Sequence, residues 1–238
     1  MEDLEDFVMR RMPTAKRPLL MLTVLVVEDS RYACEAIRLM CLRSGARIRR
    51  ADSLRAAGKH LRMYRPSVAI VDLGLPDGDG TALIRELAEA NPRVSVILAT
   101  SGDPDGAERA MAAGADGFLG KPVESLATFQ EAILAHLPRE VQPKGPRIVP
   151  DETFEPDPIA LRDDLCHIQK IIEGRVDGSN LDYVAQFLGM LAVSAGDQGL
   201  RRVSEDLLET MAKGGSIELA IDAVRDVIAG RLAREELV

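Results

Sequence analysis

The sequence contains few aromatic residues and few cysteines. Tryptophan is absent, and only three tyrosines and five phenylalanines occur in 238 residues, so any core must be mainly aliphatic. The three cysteines, Cys34, Cys41 and Cys166, lack metal-binding spacing and cannot all pair with one another, which is typical of a reducing cytosol. No apolar run approaches the roughly 18–20 residues of a membrane span, and the acidic start MEDLEDF is unlike a signal peptide. We therefore expect a cytoplasmic protein without membrane contact.

Basic residues are scarce in the last third of the chain. Residues 157–238 contain nine Lys and Arg against fifteen Asp and Glu, whereas residues 1–138 are close to balance. An acidic surface repels phosphate backbones, so DNA is an unexpected partner for this segment. A transcriptional regulator with an unusual output domain stays open as an alternative.

Short apolar runs alternate with helical periods between residues 22 and 137. Strands are predicted near 22–27, 46–51, 67–72, 94–99 and 116–119. Helices are predicted near 30–44, 53–64, 81–90, 104–113 and 123–137. Five strands alternating with five helices indicate an α/β domain with a five-stranded, doubly wound parallel sheet.

Three further segments flank or follow this region. Residues 1–21 are interpreted as an N-terminal extension, and residues 138–158 hold six of the thirteen prolines, which indicates a semi-rigid linker. Residues 159–238 show four apolar stripes at helical spacing, which predict a C-terminal all-α bundle. The stripe positions are Leu161, Leu165, Ile168 and Ile172; Leu181, Val184, Leu188 and Leu191; Leu200, Val203, Leu207 and Met211; and Ile217, Ile221, Val224 and Ile228.

Polar residues stand where the predicted strands end. Glu28 and Asp29 follow TVLVV, Asp72 follows VAIV, Thr100 follows VSVILA, and Lys121 comes just after the fifth strand. Since ligands bind outside the carboxyl ends of strands in an open parallel sheet, we expect these groups to converge on one pocket. Three carboxylates together require a cation, and oxygen ligands suit Mg²⁺, while a lysine and a hydroxyl suit a phosphoryl group. An aspartate there can act as a nucleophile toward phosphorus.

Helix capping is the alternative interpretation for any one of these acids. Asp29 or Ser30 is suitably placed to cap the first helix, and Asp72 to begin a turn. Helix capping does not explain why polar residues follow all of these strands in this order.

Residues 22–137 resemble the receiver domain of two-component response regulators. The matching motifs are VLVVEDS with the acid pair, IVDLGLPDGDG with Asp72, ILATSG with Thr100, and GFLGKP with Phe118, Lys121 and Pro122. The resemblance implies a flavodoxin-like fold. It also implies a signalling regulator rather than an enzyme.

The resemblance implies a role for each matching residue. Asp72 would be the phosphoacceptor, and a histidine kinase or histidine phosphotransfer protein would be the donor. Mg²⁺ would be held by Asp29, Asp72 and the backbone carbonyl of Gly74, with Glu28 acting through water.

Three more residues take roles from the resemblance. Lys121 would pair with the phosphoryl oxygens, next to a cis bond to Pro122. Thr100 would hydrogen-bond the phosphoryl group and act as a switch residue together with Phe118, whose ring we expect to favour the buried rotamer.

The C-terminal segment weakly resembles a degenerate histidine phosphotransfer domain. Aligned on SAG, the chain has Gly189 in place of the phosphorylated histidine, and Ala192 and Val193 in place of the lysine and glycine that follow it. We therefore expect the bundle to bind an unidentified protein, or to form a homodimer, under control of the receiver. A phosphorelay through His167 is an alternative.

Overall fold

The structure, a computed structural model, describes residues 12–145, 151–154, 156–174 and 178–235. The chain divides into two units: one runs to residue 155 without residues 30–33, and the other holds residues 30–33 and residues 156–238. Residues 1–11 of the predicted extension and part of the predicted linker lie outside the described residues. None of the helices in the described ranges has the length and apolarity needed to cross a bilayer.

A five-stranded parallel sheet organises the first unit. Its strands are β1 (Thr23–Val27), β2 (Arg47–Ala51), β3 (Val68–Asp72), β4 (Val96–Ser101) and β5 (Gly117–Gly120), in the spatial order 2-1-3-4-5. The helices between and after them are α1 (Arg31–Ser44), α2 (Leu54–Met63), α3 (Gly80–Glu89), α4 (Gly106–Ala112) and α5 (Leu126–Leu134). The flavodoxin-like doubly wound fold is thus confirmed.

Both faces of the sheet are covered by apolar side chains. Along β1, Val24 and Val26 join the core formed with α1 and α5, whereas Leu25 and Val27 join the core formed with α2, α3 and α4. This burial of successive residues on opposite faces explains why the central strands are continuous apolar runs. Leu19, which precedes β1, is fully buried in the first of these cores.

The loop after β3 turns back sharply against the strand it leaves. Gly74–Leu75 and Gly78–Asp79 form a two-residue antiparallel pairing before α3 begins at Gly80. A Cβ atom on Gly80 would lie 2.0 Å from the backbone oxygen of Asp72. Only glycine therefore permits this approach, which places the start of α3 against the end of β3.

The second unit contains a bundle of four helices. These are α6 (Pro158–Glu173), α7 (Gly178–Ala195), α8 (Gln198–Lys213) and α9 (Ile217–Glu235), and each packs on the next while α9 also packs on α6. The predicted stripes form the core, including Leu165, Leu188, Leu207 and Val224, each fully buried. Ile217, the first residue of α9, is the exception and is exposed.

An ion pair joins the start of α8 to the end of α9. Asp197 caps α8 by accepting hydrogen bonds from the backbone N–H groups of Gly199 and Leu200. Its two carboxylate oxygens also accept from Nε and Nη2 of Arg231, at 2.6 and 2.8 Å. The Arg231 hydrogen bond, helped by those from the backbone, lowers the pKa of Asp197 to about 2.

We predict that Gly80→Ala destabilises the first unit by about 2 kcal/mol or more, because the neighbouring backbone cannot move aside. Thermal unfolding measures the change. Gly102→Ala is the matched control, since a Cβ there meets nothing within 4 Å, and it should change stability by less than about 0.5 kcal/mol. Equal stability of the two variants would contradict the close approach at Gly80.

We predict that Arg231→Gln destabilises the helical unit by about 1–2 kcal/mol at pH 7, because it leaves a charged cap without its partner. Arg201→Gln, which removes an exposed pair with Glu205, should cost less than about 0.5 kcal/mol. Urea unfolding, followed by hydrogen exchange in α6–α9, separates this unit from the other. Equal losses of stability in the two variants would show that the ion pair between Asp197 and Arg231 contributes no more than an exposed surface pair.

The same ion pair has a defined pH dependence. Because folding lowers the pKa of Asp197, its contribution to stability is present above the unfolded-state value and is lost as pH falls through about 2. The stability difference between wild type and Arg231→Gln should therefore be full at pH 7 and largely gone near pH 2. A difference that does not depend on pH would mean that Arg231 acts through packing alone.

Candidate functional site

Three carboxylates meet at the carboxyl edge of the sheet. Oxygen atoms of Glu28, Asp29 and Asp72 all lie within 4.8 Å of one another. Glu28 and Asp29 directly follow β1, and Asp72 is the last residue of the adjacent strand β3. The side chains of Glu28 and Asp72 are fully buried, so the chain holds at least two carboxylates away from bulk water.

Lys121 projects into the same cluster from the end of β5. Its Nζ lies 2.8 Å from Glu28 Oε2 and 2.9 Å from Asp72 Oδ2, and only 3% of its side chain is exposed. The peptide bond between Lys121 and Pro122 is cis. One ammonium group thus contacts two of the three carboxylates, and a fully ionised cluster carries an excess of two negative charges.

The protonation equilibria of the cluster reflect this crowding. Burial raises the pKa of Glu28 well above its usual range, Lys121 opposes that rise, and Asp72 and Asp29 add to it. Burial disfavours the charged form of Lys121, but attraction to Asp72 and Glu28 is stronger, so the pKa of Lys121 is raised. Lys121 is therefore a permanent cation, and the pocket gains from a further positive charge.

Thr100 lies beside Asp72 on the neighbouring strand. The two residues are register partners between β3 and β4, and Thr100 is fully buried. Within the described part of the chain, its hydroxyl oxygen has no hydrogen-bond partner. Buried hydroxyl groups are rarely left in this state, so the wall of the pocket contains a polar atom suited to a bound group.

Ser30, one of the two residues considered as a cap, does cap the first helix. The Ser30 hydroxyl accepts a hydrogen bond from the backbone N–H of Ala33 at the start of α1. The backbone N–H of Gly74 lies 3.4 Å from Asp72 Oδ1, a distance too long for a strong turn contact.

Phe118 lies on β5 and is half-buried. It packs against the core on the side of α2, α3 and α4. A Cβ on Gly106 would lie 3.3 Å from its ring and 3.0 Å from Cβ of Ser101, so glycine brings the first turn of α4 close to both. The ring thus contacts the helix that follows the Thr100 strand.

Two residues that shape the site, Gly80 and Arg109, are not among the site residues predicted from the sequence. Gly80 allows the loop after β3 to return against the backbone of Asp72. The signal for this in the sequence is a glycine at the start of an apolar helix. Arg109 on α4 contacts Asp79 and Asp103, which lie in the loops after β3 and β4. No local pattern indicates that contact, because it joins residues from separate loops.

The helical unit has Gly189, packed close to Ser204, at the position where a phosphotransfer domain would carry its histidine. A Cβ on Gly189 would lie 2.9 Å from the Ser204 hydroxyl oxygen, which donates a hydrogen bond to the Ala185 carbonyl. His167 lies elsewhere, on α6, where its exposed side chain contacts the rings of Tyr183 and Phe187. Burial lowers the pKa of His167, and the acidic Asp164 partly opposes this.

Comparison with known proteins identifies the first unit. Residues 24–133 match the model of the response regulator receiver domain. The virulence transcriptional regulatory protein PhoP of Salmonella typhimurium LT2 is 34% identical over 118 residues, which cover 48% of this chain and 52% of that protein. The KDP operon transcriptional regulatory protein KdpE of Escherichia coli K12 is 33% identical over 102 residues, covering 43% and 45%.

Among solved structures, the receiver domain of a histidine kinase from Syntrophus aciditrophicus is 28% identical, with a TM-score of 0.43, covering 50% of this chain and 93% of that one. The receiver domain of a sensor histidine kinase from Pseudomonas aeruginosa PAO1, solved with magnesium in its active site cleft, is 26% identical with a TM-score of 0.43, covering 48% and 96%. The chain spans about half the length of the curated relatives it matches. Residues 24–133 of this chain form a response regulator receiver domain.

Proposed function

We propose that this protein is a two-component response regulator in which phosphorylation of Asp72 controls the protein interactions of the helical unit. The donor is a histidine kinase or a histidine phosphotransfer protein. The output is binding rather than catalysis. The observation that supports this most directly is the cluster of three carboxylates and Lys121, beside a Thr100 hydroxyl that has no hydrogen-bond partner among the described residues.

The donor set fits Mg²⁺. Three closely spaced carboxylates offer hard oxygen ligands, and a divalent cation balances the two negative charges that Lys121 leaves uncompensated. In this proposal Asp29, Asp72 and the Gly74 carbonyl hold the ion, and Glu28 holds one of its waters. When bound, Mg²⁺ supplies charge neutralisation for an incoming phosphoryl group.

The residues of the pocket then divide the transfer chemistry among them. A carboxylate oxygen of Asp72 attacks the phosphorus of a phosphohistidine, the P–N bond breaks as the P–O bond forms, and a proton stays on the departing imidazole. Lys121 neutralises a phosphoryl oxygen that it reaches from its place beside Asp72. Thr100 donates its hydroxyl hydrogen to another oxygen. Burial keeps these interactions strong because water is excluded.

The output side of the proposal rests on the composition and core of the helical unit. Its four helices share one apolar core, its net charge is acidic, and Gly189 stands where a phosphotransfer domain would carry its histidine. Such a unit has the features of a protein-binding module or a dimerisation module. Phosphorylation replaces the single negative charge of the Asp72 carboxylate with a phosphoryl group that carries about −1.5 to −2, and that change is the signal that the module would report.

Asp72→Asn is the first test. With Mg²⁺ present, wild type should bind beryllofluoride, a mimic of the aspartyl phosphoryl group, and give a bound signal in fluorine NMR. The variant should give none, because beryllium needs a carboxylate oxygen as its ligand. Thr100→Ala should still bind, but more weakly by about tenfold, because the hydroxyl donor is lost.

Asp52→Asn is the matched control, since Asp52 is exposed and lies outside the carboxylate cluster. It should bind like wild type. Binding by Asp72→Asn, or failure of wild type, would overturn the assignment of Asp72.

The chemical stability of the phosphoryl group separates the proposal from a relay through His167. A phosphoaspartate is lost in both acid and base, whereas phosphohistidine survives base. We predict that label introduced by a phosphodonor is base-labile, is absent from Asp72→Asn, and is retained by His167→Gln. Base-stable label that disappears in His167→Gln would favour the relay instead.

Control of the helical unit is tested by hydrogen exchange in residues 158–235. We expect beryllofluoride to change exchange in α6–α9 of wild type and to leave Asp72→Asn unchanged. Light scattering on the same samples detects dimer formation. If wild type binds the mimic but α6–α9 do not respond, the helical unit is tethered to the receiver rather than controlled by it.

A further inference from the structure

Arg109 connects the two loops that follow the site-bearing strands. Its Nη2 lies 2.8 Å from Asp79 Oδ2, in the loop after β3, and its Nη1 lies 3.3 Å from Asp103 Oδ2, in the loop after β4. Asp72 ends β3, and Thr100 is the penultimate residue of β4. One guanidinium group thus holds together the two loops on either side of the pocket.

Hydrogen bonds from the local backbone orient the carboxylates of Asp79 and Asp103 independently of Arg109. Asp79 uses its other oxygen to accept from the backbone N–H of Thr81 at the start of α3, and Asp103 uses its other oxygen to accept from Asp105 N–H. The pKa of Asp79 is lowered: partial burial raises it, but the hydrogen bonds from Thr81 and Arg109 outweigh that. Two fixed acceptors and a planar guanidinium form a rigid link.

The link bears directly on Thr100. The backbone N–H of Asp103 donates to the Ser101 hydroxyl, so the loop contacted by Arg109 is also bonded to the residue after Thr100. Thr100 is held fully buried although its hydroxyl has no partner among the described residues. A movement of the loop after β4 away from the loop after β3 would expose this hydroxyl to water. The Arg109 bridge joins these two loops and therefore opposes that movement.

We propose that Arg109 is a positioning residue for phosphoryl binding, which holds the Thr100 side of the pocket at its distance from Asp72. This inference rests on the proposed function of Asp72. The bridge acts by preorganisation, because Arg109 contacts the loops rather than the carboxylate cluster. It therefore affects a ligand that spans both sides of the pocket, and not Mg²⁺ alone, which binds on the carboxylate side.

Exposed ion pairs often contribute little to stability, and Arg109, Asp79 and Asp103 are each nearly half exposed. If the ion pairs of Arg109 are of that kind, removing them should leave the affinity for beryllofluoride unchanged. The bridge differs because one arginine joins two anchored carboxylates from separate loops. The two interpretations therefore predict different binding behaviour.

Arg109→Gln tests the inference in the full chain. We expect its affinity for beryllofluoride, measured by fluorine NMR with saturating Mg²⁺, to fall at least about fivefold relative to wild type. Its affinity for Mg²⁺ alone should stay within about twofold, since none of the carboxylate ligands is changed. Arg85→Gln, which removes an exposed arginine of α3 that makes no ion pair with described residues, is the matched control and should match wild type in both assays.

Asp103→Asn and Asp79→Asn provide a second route if Arg109→Gln folds poorly. Asparagine keeps an acceptor for the local backbone N–H but removes the charge that Arg109 contacts. Each should weaken beryllofluoride binding without changing Mg²⁺ binding, and adding Asp103→Asn to Arg109→Gln should cause no further loss beyond about twofold.

The outcomes are distinct. Equal or tighter beryllofluoride binding by Arg109→Gln overturns the positioning role while leaving the role of Asp72 intact. A parallel loss of Mg²⁺ affinity and thermal stability also overturns it, because Arg109 would then act through the fold as a whole. Failure of wild type to bind beryllofluoride overturns both this inference and the proposed function.

Discussion

Three carboxylates that repel one another are held together at one edge of the sheet, and this constraint governs the structure of the receiver unit. Glu28, Asp29 and Asp72 lie within 4.8 Å of one another, and the single ammonium of Lys121 contacts two of them. Such an arrangement is unfavourable by itself, and it persists because the strands that carry it are anchored in two apolar cores. The sheet thus holds the carboxylates together, and in the proposed function a cation and a phosphoryl group would complete the site.

The surroundings of the cluster allow little adjustment. Gly80 brings the loop backbone against Asp72, and Gly106 brings α4 against Phe118 and Ser101. Thr100 is buried, and no described residue forms a hydrogen bond with its hydroxyl. Each of these features limits movement on one side of the pocket. In the proposed function, preorganisation of this kind would let a phosphoryl group at Asp72 act on two neighbouring strands at once.

Much of the fold and the central part of the site follow from the sequence. Continuous apolar strands ending in acids indicate a parallel sheet and where its ligand edge lies, since strand ends meet at that edge. The four helical stripes likewise predict the second core, because their spacing allows burial on one face only. Ile217 departs from its stripe because it begins α9, where the helix leaves the core.

The remaining features depend on distances that no local pattern contains. Whether glycine is needed at Gly80 depends on backbone that lies eight residues earlier. The bridge from Arg109 to Asp79 joins residues thirty apart, and exposed charges of this type usually form no specific contact. The burial of Leu19 depends on space left by the sheet, which an isolated segment before β1 does not reveal.

The most direct measurement is the site of phosphorylation itself. Wild-type protein would be labelled by a phosphodonor in the presence of Mg²⁺, reduced with borohydride to convert an aspartyl phosphate to a stable alcohol, and mapped by peptide mass spectrometry. We predict a single modified position at Asp72, and no modification when Mg²⁺ is chelated. Modification at His167, or no modification of any aspartate, would contradict it.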